Sequence, residues 1–128
     1  MMILEVDDND AIREIVEAVL TAEGYEVATA ADGSAAVELL SRQVAEGGAL
    51  PELVLLDLTM PGMSGYQTLQ KLRALPGGER VPVIFVSALP EEEEREHALA
   101  AGGVDYLSKP FQIPRLIELV ARHHRPAV

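Results

Sequence analysis

The sequence predicts a single α/β domain, a doubly wound parallel sheet with helices on both faces, and three observations carry that expectation. Five short apolar runs alternate with five stretches whose apolar residues recur at helical spacing, the order that βαβ units leave in a sequence. The central run, LVLLD over residues 53–57, is apolar at successive positions, as a strand covered on both faces must be. A chain of 128 residues with 48% hydrophobic content fills one core and leaves little for a second. Parallel crossovers are right-handed, which fixes how the helices are distributed over the two faces.

Each element has its own signal. Residues 2–6 form an apolar segment stopped by Asp7, Asp8, Asn9 and Asp10, after which Ile12, Ile15, Val16, Val19 and Leu20 mark the inner face of a helix. Gly24 ends that helix, residues 25–30 form the second strand, and Asp32-Gly33-Ser34 opens a second helix with Val37, Leu40 and Val44 on one face, closed by Gly47-Gly48. After the central strand, Ser64 caps a third helix carrying Leu69 and Leu72, which breaks at Pro76-Gly77-Gly78. Residues 81–87 make the fourth strand. Pro90 opens the fourth helix, whose first turn, Glu91 to Glu94, suits the positive end of the helix dipole, and Gly102-Gly103 ends it. Residues 104–107 make the fifth strand, Lys109-Pro110 a turn, and Ile113, Leu116, Ile117 and Val120 the inner face of the last helix. No internal repeat or linker interrupts residues 1–128, and the terminal His-His-Arg-Pro-Ala-Val reads as a frayed end. Phe85, Met60 and Met63 read as core or loop packing, and His97, His123 and His124 as surface residues without metal-ligand spacing.

Charge and cysteine content narrow the function classes. The net charge of −11, from 21 acidic and 10 basic residues, would repel a nucleic-acid backbone, so no direct nucleic-acid binding is expected. The absence of cysteine removes disulfides and thiolate metal sites. The first residues, MMILEVDD, carry neither a basic leader nor a long apolar stretch, so no membrane association is expected and the cytoplasm is the expected location.

The chemistry gathers at strand ends. Open α/β sheets keep their sites at the carboxyl edge of the strands. Asp57 ends the central strand, and the turn after the first strand supplies Asp7 and Asp8. Read alone, Asp57 serves equally well as a helix cap and the acidic pair as a capping turn. Together they place three carboxylates at one edge. Two like charges about 5 Å apart repel by roughly 3 kcal/mol at an effective dielectric of ~20, so such a cluster holds protons or a cation. Mg²⁺ is the simpler solution, because it accepts one or two carboxylates, keeps waters and takes phosphate oxygens for the remainder. Ser87 ends the fourth strand and Lys109 follows the fifth, a hydroxyl and an ammonium suited to a phosphoryl group. Singly, Ser87 is a helix-entry serine and Lys109 a solvated lysine. As a set with the carboxylates they form a pocket.

Over the whole chain these residues resemble the response-regulator receiver domains of two-component signalling. The resemblance rests on ILEVDDND, LVLLDLTMPGMSG, FVSA and DYLSKPF, in that order and at family spacing. It implies a flavodoxin-like five-stranded sheet of order 2-1-3-4-5 and phosphorylation of Asp57 by a histidine kinase or phosphotransfer protein. It also implies Mg²⁺ held by Asp8, Asp57 and the backbone carbonyl of Thr59, with Asp7 acting largely through water. By the same resemblance Ser87 and Lys109 bind the phosphoryl group, Tyr106 is the rotating aromatic switch, and Lys109-Pro110 is a candidate cis bond. The protein target is expected on the helix over 91–101, from Glu91 at its start to Ala101 at its end, with the fifth strand and the last helix. The resemblance also implies that Thr59 and Leu89 flank the path of water to the phosphorus, and with no strong base there, self-dephosphorylation is expected to be slow.

Two positions depart from the family's usual pattern. Ser87 stands where threonine is common and keeps the hydroxyl, while Ser64 stands where aspartate is usual. Competing readings are weaker. A haloacid dehalogenase-type phosphohydrolase needs an acid two residues after its nucleophile, and Thr59 is there. A phosphorylation-independent binding module would not need all five pocket residues. A dinucleotide-binding domain would need glycines where the first turn is acidic, and there is no P-loop.

Overall fold

A computed structural model describes residues 2–124. The elements alternate strictly: β1 (Ile3–Val6), α1 (Asp10–Ala22), β2 (Val27–Ala30), α2 (Gly33–Ala45), β3 (Leu53–Asp57), α3 (Gly65–Arg73), β4 (Val83–Ser87), α4 (Glu91–Ala100), β5 (Asp105–Ser108) and α5 (Ile113–His123). All strand pairs are parallel and the sheet order is β2-β1-β3-β4-β5. The expected fold class and order are therefore present.

Side-chain alternation divides the core into two layers. Leu4, Val6, Val54, Leu56, Val83 and Phe85 point to one face, where Leu40 of α2 and Leu69 and Leu72 of α3 cover them. Ile3, Leu53, Leu55, Ile84 and Val86 point to the other, under Val16 and Leu20 of α1 and Leu116, Leu119 and Val120 of α5. Every residue of β3 is buried, which explains its unbroken apolar run. Edge strand β2 is mostly half-exposed and starts two residues later than its apolar run suggests.

Several expectations need correction in detail. Ile15 and Ile113, expected on inner helix faces, are 49% and 41% exposed, while Leu119 takes a core position on α5. Residues 81 and 82 precede β4, and a 3-10 turn, Gly78–Arg80, follows the break at Pro76. His123 is no free surface residue, because its Nε2 lies 2.8 Å from Oδ2 of buried Asp105. The ring of His124 meets Tyr25 edge-on at 5.4 Å. The reading of the terminus as frayed otherwise falls on residues 125–128, outside the described ones. Among the described residues no helix is long and apolar enough to cross a membrane.

Candidate functional site

Parallel pairing delivers four strand ends to one edge. Leu56 pairs with Val6, Asp57 with Val86 and Ser87 with Ser108, so Asp7, Asp57, Ser87 and Lys109 emerge side by side from β1, β3, β4 and β5. The β3–α3 loop is drawn tightly against this edge. The Gly65 N–H donates to the Leu58 carbonyl at 2.9 Å, and a Cβ on Gly65 would stand 2.5 Å from the carbonyl oxygen of Asp57. Only glycine allows that approach. Ser64 then caps α3 with a reciprocal box: its Oγ accepts from Gln67 N at 3.2 Å, and Gln67 Oε1 accepts from Ser64 N at 2.9 Å. The residue that departs from the family pattern thus has a structural task.

The acids come together as expected. One carboxylate oxygen from each of Asp7, Asp8 and Asp57 lies within 4.8 Å of the other two. Asp7 and Asp57 are buried whereas Asp8 is exposed. Lys109 Nζ sits 2.7 Å from Asp7 Oδ2 and donates to Asp57 Oδ2 at 3.1 Å. Asp57 Oδ1 accepts the Thr59 N–H at 3.1 Å. Arg13 holds the turn from below, donating to the Asp7 carbonyl at 2.6 Å. Burial raises the pKa of Asp57 above the ordinary carboxylate value, with the Thr59 N–H and Lys109 opposing. Burial disfavours the Lys109 ammonium, but the hydrogen bonds and charges of Asp7 and Asp57 outweigh it and raise the lysine pKa.

Glu5 went unnoticed in the sequence. It lies in β1, is 2% exposed, and its Oε1 is buried without a hydrogen-bond partner among the described residues. Burial, followed by the charge of Asp7, pushes its pKa to about 8, so near neutral pH it is largely protonated. The available signal was an acid inside an apolar strand run, since such a position rarely faces water in a central parallel strand. One ammonium thus faces three close carboxylates with a fourth acid beneath. That donor set is oxygen-only and negatively unbalanced, and it fits a hard divalent cation.

Ser87 and Tyr106 lie beside the acids rather than on them. Ser87 is fully buried and its Oγ accepts the Leu89 N–H at 3.1 Å. Tyr106, 1% exposed, donates its hydroxyl to the Leu89 carbonyl at 2.7 Å. Burial raises the Tyr106 pKa, with the Ser87 hydroxyl opposing, so the two side chains are within mutual influence. Tyr66, also passed over in the sequence, ties α3 to α4 by donating to Glu94 Oε1 at 2.6 Å, while its ring stacks on His97 and tilts against Phe85. The Lys109-Pro110 peptide is cis.

The chain is similar to several known proteins. It is 42% identical over 109 residues to the response regulator PleD of Caulobacter vibrioides, a match covering 85% of this chain and 23% of PleD. It is 37% identical over 126 residues to the phosphate regulon transcriptional regulatory protein PhoB of Rhizobium meliloti, covering 96% of this chain and 53% of PhoB. The chain therefore spans about a quarter of the one relative and half of the other. Among solved structures, the chemotaxis protein CheY4 of Vibrio cholerae superposes with a TM-score of 0.84 at 29% identity, covering 96% of this chain and 99% of that one. The receiver domain of the sensor histidine kinase PA1611 of Pseudomonas aeruginosa, with a magnesium ion coordinated in its active site cleft, gives 0.81 at 35% identity and covers 95% of both chains. Residues 3–121 match the response regulator receiver domain family, and with the sheet order and the acidic pocket in place the chain belongs to that family.

Proposed function

We propose that the chain is a phosphoacceptor switch, residues 1–128 forming one receiver domain in the cytoplasm, phosphorylated on Asp57 by a histidine kinase or phosphotransfer protein. The observation that carries this reading is the convergence of Asp7, Asp8, Asp57 and Lys109 on one small space. An oxygen of the Asp57 carboxylate forms a bond to phosphorus as the P–N bond of the donor's phosphohistidine breaks, and the imidazole leaves with the electron pair. Lys109 is already bonded to the acceptor carboxylate and stabilises the charge on the incoming oxygens. Mg²⁺, held by Asp8, Asp57 and the Thr59 carbonyl with Asp7 behind it, would supply further charge neutralisation. Ser87 then turns its hydroxyl from the Leu89 N–H to the phosphoryl group, and Tyr106, bonded to the same residue, reports the change toward α4. The protein is not a turnover enzyme in this reading, though it assists its own slow dephosphorylation. Its message passes to a protein target across α4, β5 and α5.

Incubation with acetyl phosphate and Mg²⁺ followed by intact-mass measurement tests the assignment. One phosphoryl adduct is expected on the parent and none on Asp57→Asn. An undiminished adduct on Asp57→Asn protein would overturn it, as would a parent that stays unmodified while the Pseudomonas receiver is labelled alongside.

A further inference from the structure

Helix α4 is held in place by very little apolar surface. Of its ten residues only Ala98 is buried, so its position depends on polar contacts with its neighbours. One of these contacts reaches it from α3. Tyr66 donates its hydroxyl to Glu94 Oε1 at 2.6 Å, and its ring stacks on His97 with centroids 4.8 Å apart. The same ring lies against Phe85 of β4 at 5.1 Å, which fixes where the hydroxyl can reach. Burial, and then the bond to Glu94, raise the Tyr66 pKa, so the hydroxyl remains a donor.

Behind Tyr66 the chain is tied to Asp57 without slack. Gly65, the preceding residue, is buried and donates its N–H to the Leu58 carbonyl at 2.9 Å. A Cβ on it would stand 2.5 Å from the Asp57 carbonyl oxygen and 2.8 Å from the Leu58 Cα. Asp57 Oδ1 in turn accepts the Thr59 N–H at 3.1 Å, so the acceptor carboxylate holds the start of the same loop. Esterifying that carboxylate reduces its charge and weakens the Thr59 bond. A loop that shifts then carries Gly65 with it, because close packing passes displacement on instead of absorbing it. A hydrogen bond weakens steeply once misaligned, so a small rotation of α3 is enough to release Glu94. This route bypasses Ser87 and Tyr106, whose bonds both end on Leu89, ahead of the helix.

We propose that Tyr66 is a positioning residue that couples the Asp57 loop to α4, movement of Gly65 making or breaking the Tyr66–Glu94 bond. Helix α4 then has two arrangements, clipped to α3 and released, with Arg95–Asp105 retaining it against β5 in both. The inference rests on the phosphoacceptor reading for its trigger, not for the link itself.

The test uses the ¹⁵N-labelled full chain with BeF₃⁻ and Mg²⁺ as the probe. In the parent, shifts are expected at Thr59 and Gly65 and along residues 94–98. In Tyr66→Phe, which keeps the ring and removes the hydroxyl, the shifts at 94–98 should shrink about twofold or more while those at Ser87 and Tyr106 persist. Glu94→Ala should do the same, whereas Glu94→Gln, whose amide oxygen still accepts the bond, should keep the parent response. An undiminished α4 response in Tyr66→Phe overturns the inference, as does an equal loss in Glu94→Ala and Glu94→Gln. Gly65→Ala reads the link without BeF₃⁻. Its Cβ pushes α3 from the sheet edge, so amide exchange along α4 should quicken about threefold or more beside Tyr66 and less than about twofold in the Tyr66→Phe background, where the bond is already absent. Equal quickening in both backgrounds overturns the inference. A parent without BeF₃⁻ shifts at Asp57 and Thr59 defeats the phosphoacceptor reading only, and the Gly65→Ala pair then decides the coupling.

Discussion

Glu5 makes the stability of the chain depend on pH. Its pKa of about 8 in the folded protein lies above the ordinary value of 4.5, so between these limits the folded state holds a proton that the unfolded state has released. The contribution of Glu5 to stability is then greatest below the lower value and falls as pH rises toward the upper one, by up to about 1.4 kcal/mol per pH unit. Urea unfolding of the parent and Glu5→Gln should show a gap in favour of the variant that widens from about pH 5 to pH 8. A constant gap would mean that Glu5 does not titrate there. Leu89 supports a second expectation at this scale. Its N–H is held by Ser87 and its carbonyl by Tyr106, which fixes the backbone from which its exposed side chain projects. An apolar group there offers nothing to orient an attacking water. Leu89→Asn should lose phosphate severalfold faster than the parent at fixed Mg²⁺, followed by mass; an unchanged rate would show that Leu89 does not govern water access.

Among the elements, α4 and α5 lie at opposite ends of a range. Helix α5 buries Leu116, Leu119 and Val120, whereas α4 buries Ala98 and relies on Tyr66–Glu94 and Arg95–Asp105 to stay in place. Local opening follows the apolar surface an element contributes. Amide hydrogen exchange should therefore be faster along α4 than along α5, and Tyr66→Phe should speed α4 further without touching α5; equal protection of the two helices would contradict this. The same contrast shows what a sequence can disclose. Strand β3 was legible because burial on both faces leaves a pattern of its own, and Asp57 with it because chemistry sits at strand ends. Helix faces were less so: Ile15 and Ile113 share the helical spacing of core residues, and spacing does not say which side of an apolar arc meets the sheet. His123 looked like surface because its partner Asp105 lies eighteen positions away, a pairing only the packing of α5 on β5 creates.

At the scale of the molecule, charge dominates. A net −11 with three carboxylates converging at one edge makes cations stabilising in two ways, by screening everywhere and by occupying that edge. Mg²⁺ should raise the melting temperature more than NaCl at equal ionic strength, and Asp8→Asn should remove the excess; identical shifts from both salts would leave no place for a bound ion. The contact between Lys109 and Asp7 has a wider consequence. It joins the residue following the first strand to the residue following the last, so nearly the entire polypeptide must be synthesised and threaded into its sheet before the two can meet. A nascent chain still lacking β5 has its acids but no ammonium beside them, and a partly unfolded one loses the pair as soon as β5 departs. On the phosphoacceptor reading proposed above, competence to accept phosphate would be acquired only with the final strand.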